Sequence, residues 1–195
     1  DYQIHNSPED LITETSISEA DEMSVAYLFR SYAEMPKLEQ KALQLAKGKV
    51  FDVGCGAGSH SLFLQEQGFD VTSIDISTNA IEACRLRGVK NARVQNVLDI
   101  ENEKFDTIIL LMNGTGIFGT LVKTSQYLQK LKCLLNPNGQ ILIDSSDIIY
   151  MFDEDEDGSK WIPADGYYGE LTFTISYKNE IEEPFPWLYL DYNTL

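Results

Sequence analysis

The sequence is poor in positive charge: 15 Lys plus Arg stand against 31 acidic side chains, with 2 histidines, for a formal net charge of −16. A nucleic-acid backbone needs clustered Lys and Arg to bind it, so the expectation is no nucleic-acid partner, and neutral or cationic metabolites fit this field better. Cysteine is scarce as well. Cys55, Cys84 and Cys133 are far apart in the chain and odd in number, which implies neither a disulfide framework nor a cysteine-rich zinc site. Thiols of this kind fill apolar gaps. No apolar run approaches the roughly 18 residues needed to cross a bilayer. The opening "DYQIHNSPED" lacks the basic start and apolar stretch of a signal peptide, and it lacks an initiator Met. The resulting expectation is a cytoplasmic protein, of which this chain is the ordered or processed part.

What is present is enough for one domain. At 195 residues and 43% hydrophobic composition, the chain can bury a sizeable core but not two. Residues 1–47 read as an N-terminal helical cap. Ser18 with Asp21 resembles a capping pair opening a helix through "ADEMSVAYLFRSYAEM", and a second helix follows Pro36, with Leu38, Ala42 and Leu45 on one stripe. Over residues 48–151, short apolar runs alternate with helical patterns. The strands are "KVFDVGC", "FDVTSID", "NARVQNV", "FDTIILLM" and "QILIDSS", and the last helix carries Leu121, Leu128, Leu131 and Leu135 on one side. Such alternation predicts an open, mostly parallel α/β sheet flanked by helices. Residues 152–195 hold an acidic loop, "DEDEDG", and a C-terminal antiparallel hairpin of "GELTFTISYK" with "WLYLDY".

In an open parallel sheet, ligands bind outside the carboxyl ends of the strands. "VFDVGCGAGSH" ends the first strand there, with three glycines at alternate positions, Gly54, Gly56 and Gly58. Glycine tolerates positive φ and has no Cβ, so backbone N–H groups can approach a ligand closely. The helix that starts near Ser59 adds its positive end. The second strand ends in Asp75, roughly 20 residues beyond the turn, where a carboxylate can accept from two ribose hydroxyls. Asp99 ends the third strand at the same rim and can accept from an exocyclic amine.

"DVGCGAGSHSLFL", "VTSIDIS", "VLDI" and "FDTIILLMNG" together resemble the successive motifs of Rossmann-like (class I) S-adenosylmethionine-dependent methyltransferases, over roughly residues 48–151. The resemblance implies S-adenosylmethionine as cofactor and a small-molecule methyl acceptor. It further implies that Asp52 neighbours the methionine amino end and that Gly54, Cys55, Gly56 and Gly58 wrap the methionine and ribose. Asp75 would bind the ribose diol and Ile76 would pack on adenine. Asp99 with Ile100 would hold the adenine amine and edge, and Asn113 would line the methionine side. Such an enzyme's full sheet has seven strands. Here the last helix and strands are expected to be absent, which leaves an edge for a longer chain or a partner to cover.

Three other roles rest on weaker patterns. His60, in the first turn after the glycines, is the candidate catalytic base. Tyr27 and Tyr32 on the expected N-terminal helix, with Gly114, are candidate substrate contacts. Among the aromatics of the variable parts, Tyr150, Trp161, Tyr167, Tyr168 and Trp187 would suit an apolar or cationic acceptor. Two alternatives compete: an NAD(P)-dependent oxidoreductase, and a non-catalytic protein that only binds S-adenosylmethionine. The dinucleotide fingerprint G-x-G-x-x-G fails at the first loop, where Ser59 takes the third glycine's place. It recurs as Gly114, Gly116 and Gly119, after the wrong strand, where a flexible loop over the reaction centre is the better expectation. Asp153, Asp155, Asp157 and Gly158 match half of a calcium loop, but the required Glu is Ala164, so no metal is expected.

Overall fold

The computed structural model describes residues 1–6 and 9–195. After a single helical turn, α1 (Tyr2–His5), the chain runs out and back as antiparallel β1 (Leu11–Thr15) and β2 (Ser18–Met23). This corrects the helix expected from Ser18 onward. "SEADEM" offers no apolar stripe for a helix to bury, while the β-branched Ile12, Thr13 and Thr15 beside it favour extended backbone. Thr15 Oγ1 accepts from the N–H groups of Ile17 (3.2 Å) and Ser18 (3.0 Å), closing the turn between the two strands. Helix returns in α2 (Val25–Leu28) and in α3 (Lys37–Gln44), which starts after Pro36 as expected.

From Val50 the anticipated alternation appears: β3 (Val50–Val53), α4 (Ser59–Glu66), β4 (Val71–Asp75), α5 (Thr78–Arg87), β5 (Ala92–Val94), β6 (Phe105–Leu110), α6 (Leu121–Cys133) and β7 (Leu135–Ile143). These five strands pair in parallel in the order β5-β4-β3-β6-β7. Every residue of β3 is buried, as are Ile108, Ile109 and Leu110 of β6, which is what strands covered on both faces require. One core cluster holds Phe51 stacked on Phe105, with Leu131 of α6 fully buried against it and Leu121 and Leu128 alongside. A second holds Val50, Leu64 and Ile109 with Leu43 of α3. No described helix is long and apolar enough to cross a membrane.

β8 (Glu170–Tyr177), β9 (Glu180–Ile181) and β10 (Phe185–Leu188) complete the chain's strands, and β8 pairs with β10 as the alternating pattern predicted. The hairpin does not extend the parallel sheet. On its other side β8 pairs with β1, giving a second sheet in the order β10-β8-β1-β2, with β9 attached to β8. Ile12 therefore lies opposite Ser176, a pairing of chain ends that the periodicity of neither segment reports.

Strand order reverses between β3 and β6, so the crevice opens between their carboxyl ends. The second sheet is fastened over that edge. Asn113 Nδ2 (3.3 Å) and Thr115 Oγ1 (3.0 Å) both donate to the Leu188 carbonyl of β10.

Candidate active site

The turn after β3 is bare at Gly56, while Ile117 stands against Gly54. Gly54 and Gly56 have φ of +74° and +52°, and a Cβ added at Gly56 would meet nothing within 4 Å. The Gly56 N–H donates to Asp75 Oδ2 at 2.9 Å, while Asp75 Oδ1 accepts from the Ser77 N–H at 2.8 Å. The end of β4 thus fixes the shape of the turn that follows β3. Beside it Ile76 is 75% exposed, a large apolar side chain left in solvent at the rim. Asp99, just past β5, is exposed at the same edge. Of the residues expected to hold a cofactor, these five are brought to one open rim.

Four others lie beneath it. Asp52 is 1% exposed, and its carboxylate accepts from Ser61 Oγ, which in turn meets Ser73 Oγ at 2.7 Å. Burial pushes the Asp52 pKa up, against the opposing influence of nearby His60 and the Ser61 hydrogen bond. In this structure it anchors α4 through Ser61. Cys55 is buried with its Sγ 3.7 Å from that of Cys84, whose thiol donates to the Gly56 carbonyl at 3.2 Å. The contact with Cys84 and then burial push the Cys55 thiol's pKa up. The two cysteines that the chain separates are neighbours in the fold. At Gly58, with φ +82°, a Cβ would come within 2.9 Å of Cys84 Sγ and of Val89 Cγ2, so this glycine lets α4 pack on α5. Ile100 is buried, with its side chain in the core.

His60, expected as a base facing the substrate, is buried as well. It is 7% exposed, with Nε2 2.7 Å from Glu39 Oε2 on α3, and Glu39 also accepts from Arg30 Nη2. Burial raises the Glu39 pKa, but the hydrogen bonds of His60 and Arg30 outweigh it and hold that carboxyl below its ordinary value. A second clamp comes from Arg87. Its guanidinium donates to the Ala57 carbonyl (2.6 Å) and the Phe29 carbonyl (3.2 Å), tying the N-terminal segment to the glycine turn.

Next to the turn lies a cleft of about 410 Å³. Met112, Asn113 and Asp144, at the carboxyl ends of β6 and β7, form its floor. Thr15, Tyr27 and Glu39 line it from the N-terminal segment, and Leu171, Phe173 and Tyr189 from the C-terminal one. Asn113, Tyr27 and Tyr150 all line it. Met112 and Asn113 are consecutive residues at φ +67° and +60°, a backbone that only surrounding structure can hold. Tyr32 and Gly114 do not reach the cleft. Tyr32 stacks on Phe63 at 3.9 Å, and its hydroxyl accepts from Gln44. Gly114 is buried where a Cβ would strike that of Leu110 at 2.5 Å.

Asp144 was missed, although it ends "QILID" as Asp75 ends "VTSID". It is half-buried, and its Oδ1 accepts from the Gly114 N–H at 3.0 Å. Burial pushes its pKa up, the backbone N–H opposes this, and the charge of Glu39 adds to the rise. Glu39 carried no local signal, since tertiary packing alone brings it to the cleft.

The second glycine set is not a flexible loop over the reaction centre. Gly116 is buried against Trp187, whose Cε2 would lie 1.9 Å from an added Cβ, and Gly119 packs on Pro186. In the acidic loop Lys160 pairs with Glu154 at 2.6 Å, and among the described residues no group of three or more His, Cys, Asp or Glu is placed to hold a metal.

Residues 45–183 match the model of a methyltransferase domain. A crystal structure of a SAM-dependent methyltransferase from Bacteroides fragilis, in complex with S-adenosyl-L-homocysteine, superposes with a TM-score of 0.91 at 46% identity, covering 100% of this chain and 79% of that one. Two ubiquinone biosynthesis O-methyltransferases are also similar. That of Rickettsia prowazekii is 26% identical over 114 residues, 56% of this chain and 44% of its own length. That of Actinobacillus pleuropneumoniae serotype 5b is 31% identical over 120 residues, 55% and 50% respectively. The chain spans about half the length of these curated relatives. The matched span takes in the glycine turn, all five parallel strands and β8, and the chain therefore belongs to the methyltransferase-domain family, with the class I sheet and helix arrangement.

Proposed function

We propose that this protein is an S-adenosylmethionine-dependent methyltransferase acting on a small-molecule acceptor. The observation that carries it is the turn left uncovered at Gly56, bonded to Asp75 and flanked by exposed Ile76. An adenosyl group fits that arrangement. Asp75 accepts from the ribose hydroxyls, Ile76 lies against the purine face, Asp99 accepts from the purine amine, and Asn113 lines the methionine side. The cofactor carries no phosphate, and "GCGAGSH" offers no Lys or Arg for one. The dinucleotide alternative is disfavoured, because Trp187 and Pro186 fill the space beside Gly116 and Gly119 where a pyrophosphate would have to approach.

When bound, the cofactor supplies a methyl group on a sulfonium, already activated toward displacement. The residues of this chain then contribute position: the floor at Met112–Asn113 and Asp144 and the walls from the second sheet hold an acceptor in line beside the glycine turn. His60, engaged by Glu39, serves the fold rather than the acceptor. The strongly negative charge supports a small-molecule partner over a nucleic acid, and the unbridged pair Cys55 and Cys84 supports a reducing, cytoplasmic setting.

Parallel calorimetric titrations with S-adenosylmethionine, S-adenosylhomocysteine and NAD test this. Both adenosyl ligands are expected to bind with Kd on the order of micromolar, and NAD not at all; binding of NAD alone overturns the proposal. Release of S-adenosylhomocysteine in an acceptor screen then separates an enzyme from a protein that only binds the cofactor.

A further inference from the structure

The cleft contains two carboxylates in different electrostatic states. Glu39 has its charge met by Arg30 and His60. Asp144, on the floor, takes part in no salt bridge among the described residues, and no described Lys or Arg lines the cleft. The Gly114 N–H, at 3.0 Å, recovers part of the hydration that Asp144 loses, but no cation balances its half-buried charge. Around it stand Tyr27, Tyr150, Phe173 and Tyr189, whose ring faces attract a cation and repel an anion.

From this we infer that the methyl acceptor is an amine, docked with its nitrogen against Asp144 between those rings. The inference rests on the methyltransferase function proposed above and adds the acceptor's class. A protonated amine completes the charge that the fold leaves open, whereas a phenolate or carboxylate acceptor would meet Asp144 with like charge. For transfer, the neutral amine's lone pair forms the new N–C bond to the methyl carbon as the C–S bond breaks. The bonding pair stays on sulfur; the proton that the docked ammonium must lose to become that neutral amine has first passed to the Asp144 carboxylate and from there to water in the open cleft, and the methylated product leaves as an ammonium. An amine nucleophile and a carboxylate proton acceptor balance the step with no further reagent.

The test uses three probes that share a phenethyl group and differ in head group: phenethylamine, 2-phenylethanol and 3-phenylpropanoate. Each is titrated calorimetrically into protein saturated with S-adenosylhomocysteine, where no turnover occurs. The amine is expected to bind at least about tenfold more tightly than the alcohol, and the carboxylate more weakly than either. Asp144→Asn keeps an oxygen for the Gly114 N–H and should bring amine and alcohol within about twofold of each other, with affinity for S-adenosylhomocysteine unchanged. Equal binding of amine and alcohol by the native protein, no binding of the amine, or an amine preference that survives Asp144→Asn overturns the inference. Should the variant not fold, the head-group order of the native protein decides by itself. If S-adenosylhomocysteine fails to bind, the methyltransferase proposal falls instead, and the same order can still be read on the free protein.

Discussion

Two glycine-rich turns leave the same edge of the parallel sheet, one after β3 and one after β6, and they do opposite things. At Gly56 the space a side chain would occupy is empty and faces the rim. At Gly116 the same space is filled by the Trp187 ring, and at Gly114 by Leu110. The second turn matches the dinucleotide fingerprint more fully than the first, yet it is the first that is open, at Gly56, while Ile117 and Cys84 stand against Gly54 and Gly58. A glycine pattern says that a Cβ is not tolerated; whether ligand or protein excludes it is decided by what packs there. Here that is β10, reached only after a long excursion through the second sheet.

The contrast predicts a crossed outcome. Gly116→Ala should produce the largest effect, on stability: an overpacked, buried contact with an indole costs about 3 kcal/mol, and lowers Tm by roughly 6 to 12 °C. Thermal melts check this, and the fraction that remains folded should bind S-adenosylhomocysteine normally. Asp75→Ala comes next and acts on the ligand. Losing hydrogen bonds to a carboxylate costs about 2 kcal/mol of affinity, roughly a thirtyfold rise in Kd, while the melt of the free protein shifts less than for Gly116→Ala. Gly56→Ala is smaller again. Its φ of +52° costs an alanine about 1 kcal/mol of stability, and the new methyl should weaken S-adenosylhomocysteine about tenfold, which is about 1.4 kcal/mol. If Gly56→Ala destabilises as much as Gly116→Ala while leaving affinity intact, the two turns are not different in kind.

Much of the first turn was legible because its determinants are local. Strand, glycines and the Asp75 at the next strand end follow one another within a short span, and parallel α/β order is written in alternating patterns. The cleft was less legible because its parts are remote. Thr15, Glu39, Asp144 and Phe173 meet through pairing of β1 with β8 and packing of α3, neither of which leaves a periodic trace. His60 shows the same limit from the other side. Its place beside the glycines pointed to chemistry, and only the packing of α3 reveals that Glu39 already holds it. The segment of β2 reads as the start of a helix because capping residues, Ser18 and Asp21, also serve turns and edge strands.

Ile76 gives the smallest and most local test of the open turn. Its side chain is 75% exposed in the free protein, so Ile76→Ser removes little packing and should leave stability within about 0.5 kcal/mol. If a purine lies against it, ligand binding buries that side chain, and losing it should cost about 1 kcal/mol of affinity, roughly a fivefold rise in Kd. The loss should be as large for adenosine as for S-adenosylhomocysteine, since both carry the base and only one carries the amino acid. A fivefold loss for S-adenosylhomocysteine with none for adenosine would move the base elsewhere. A drop in stability with both affinities intact would mean that Ile76 packs on protein, and the open rim would then resemble the covered one.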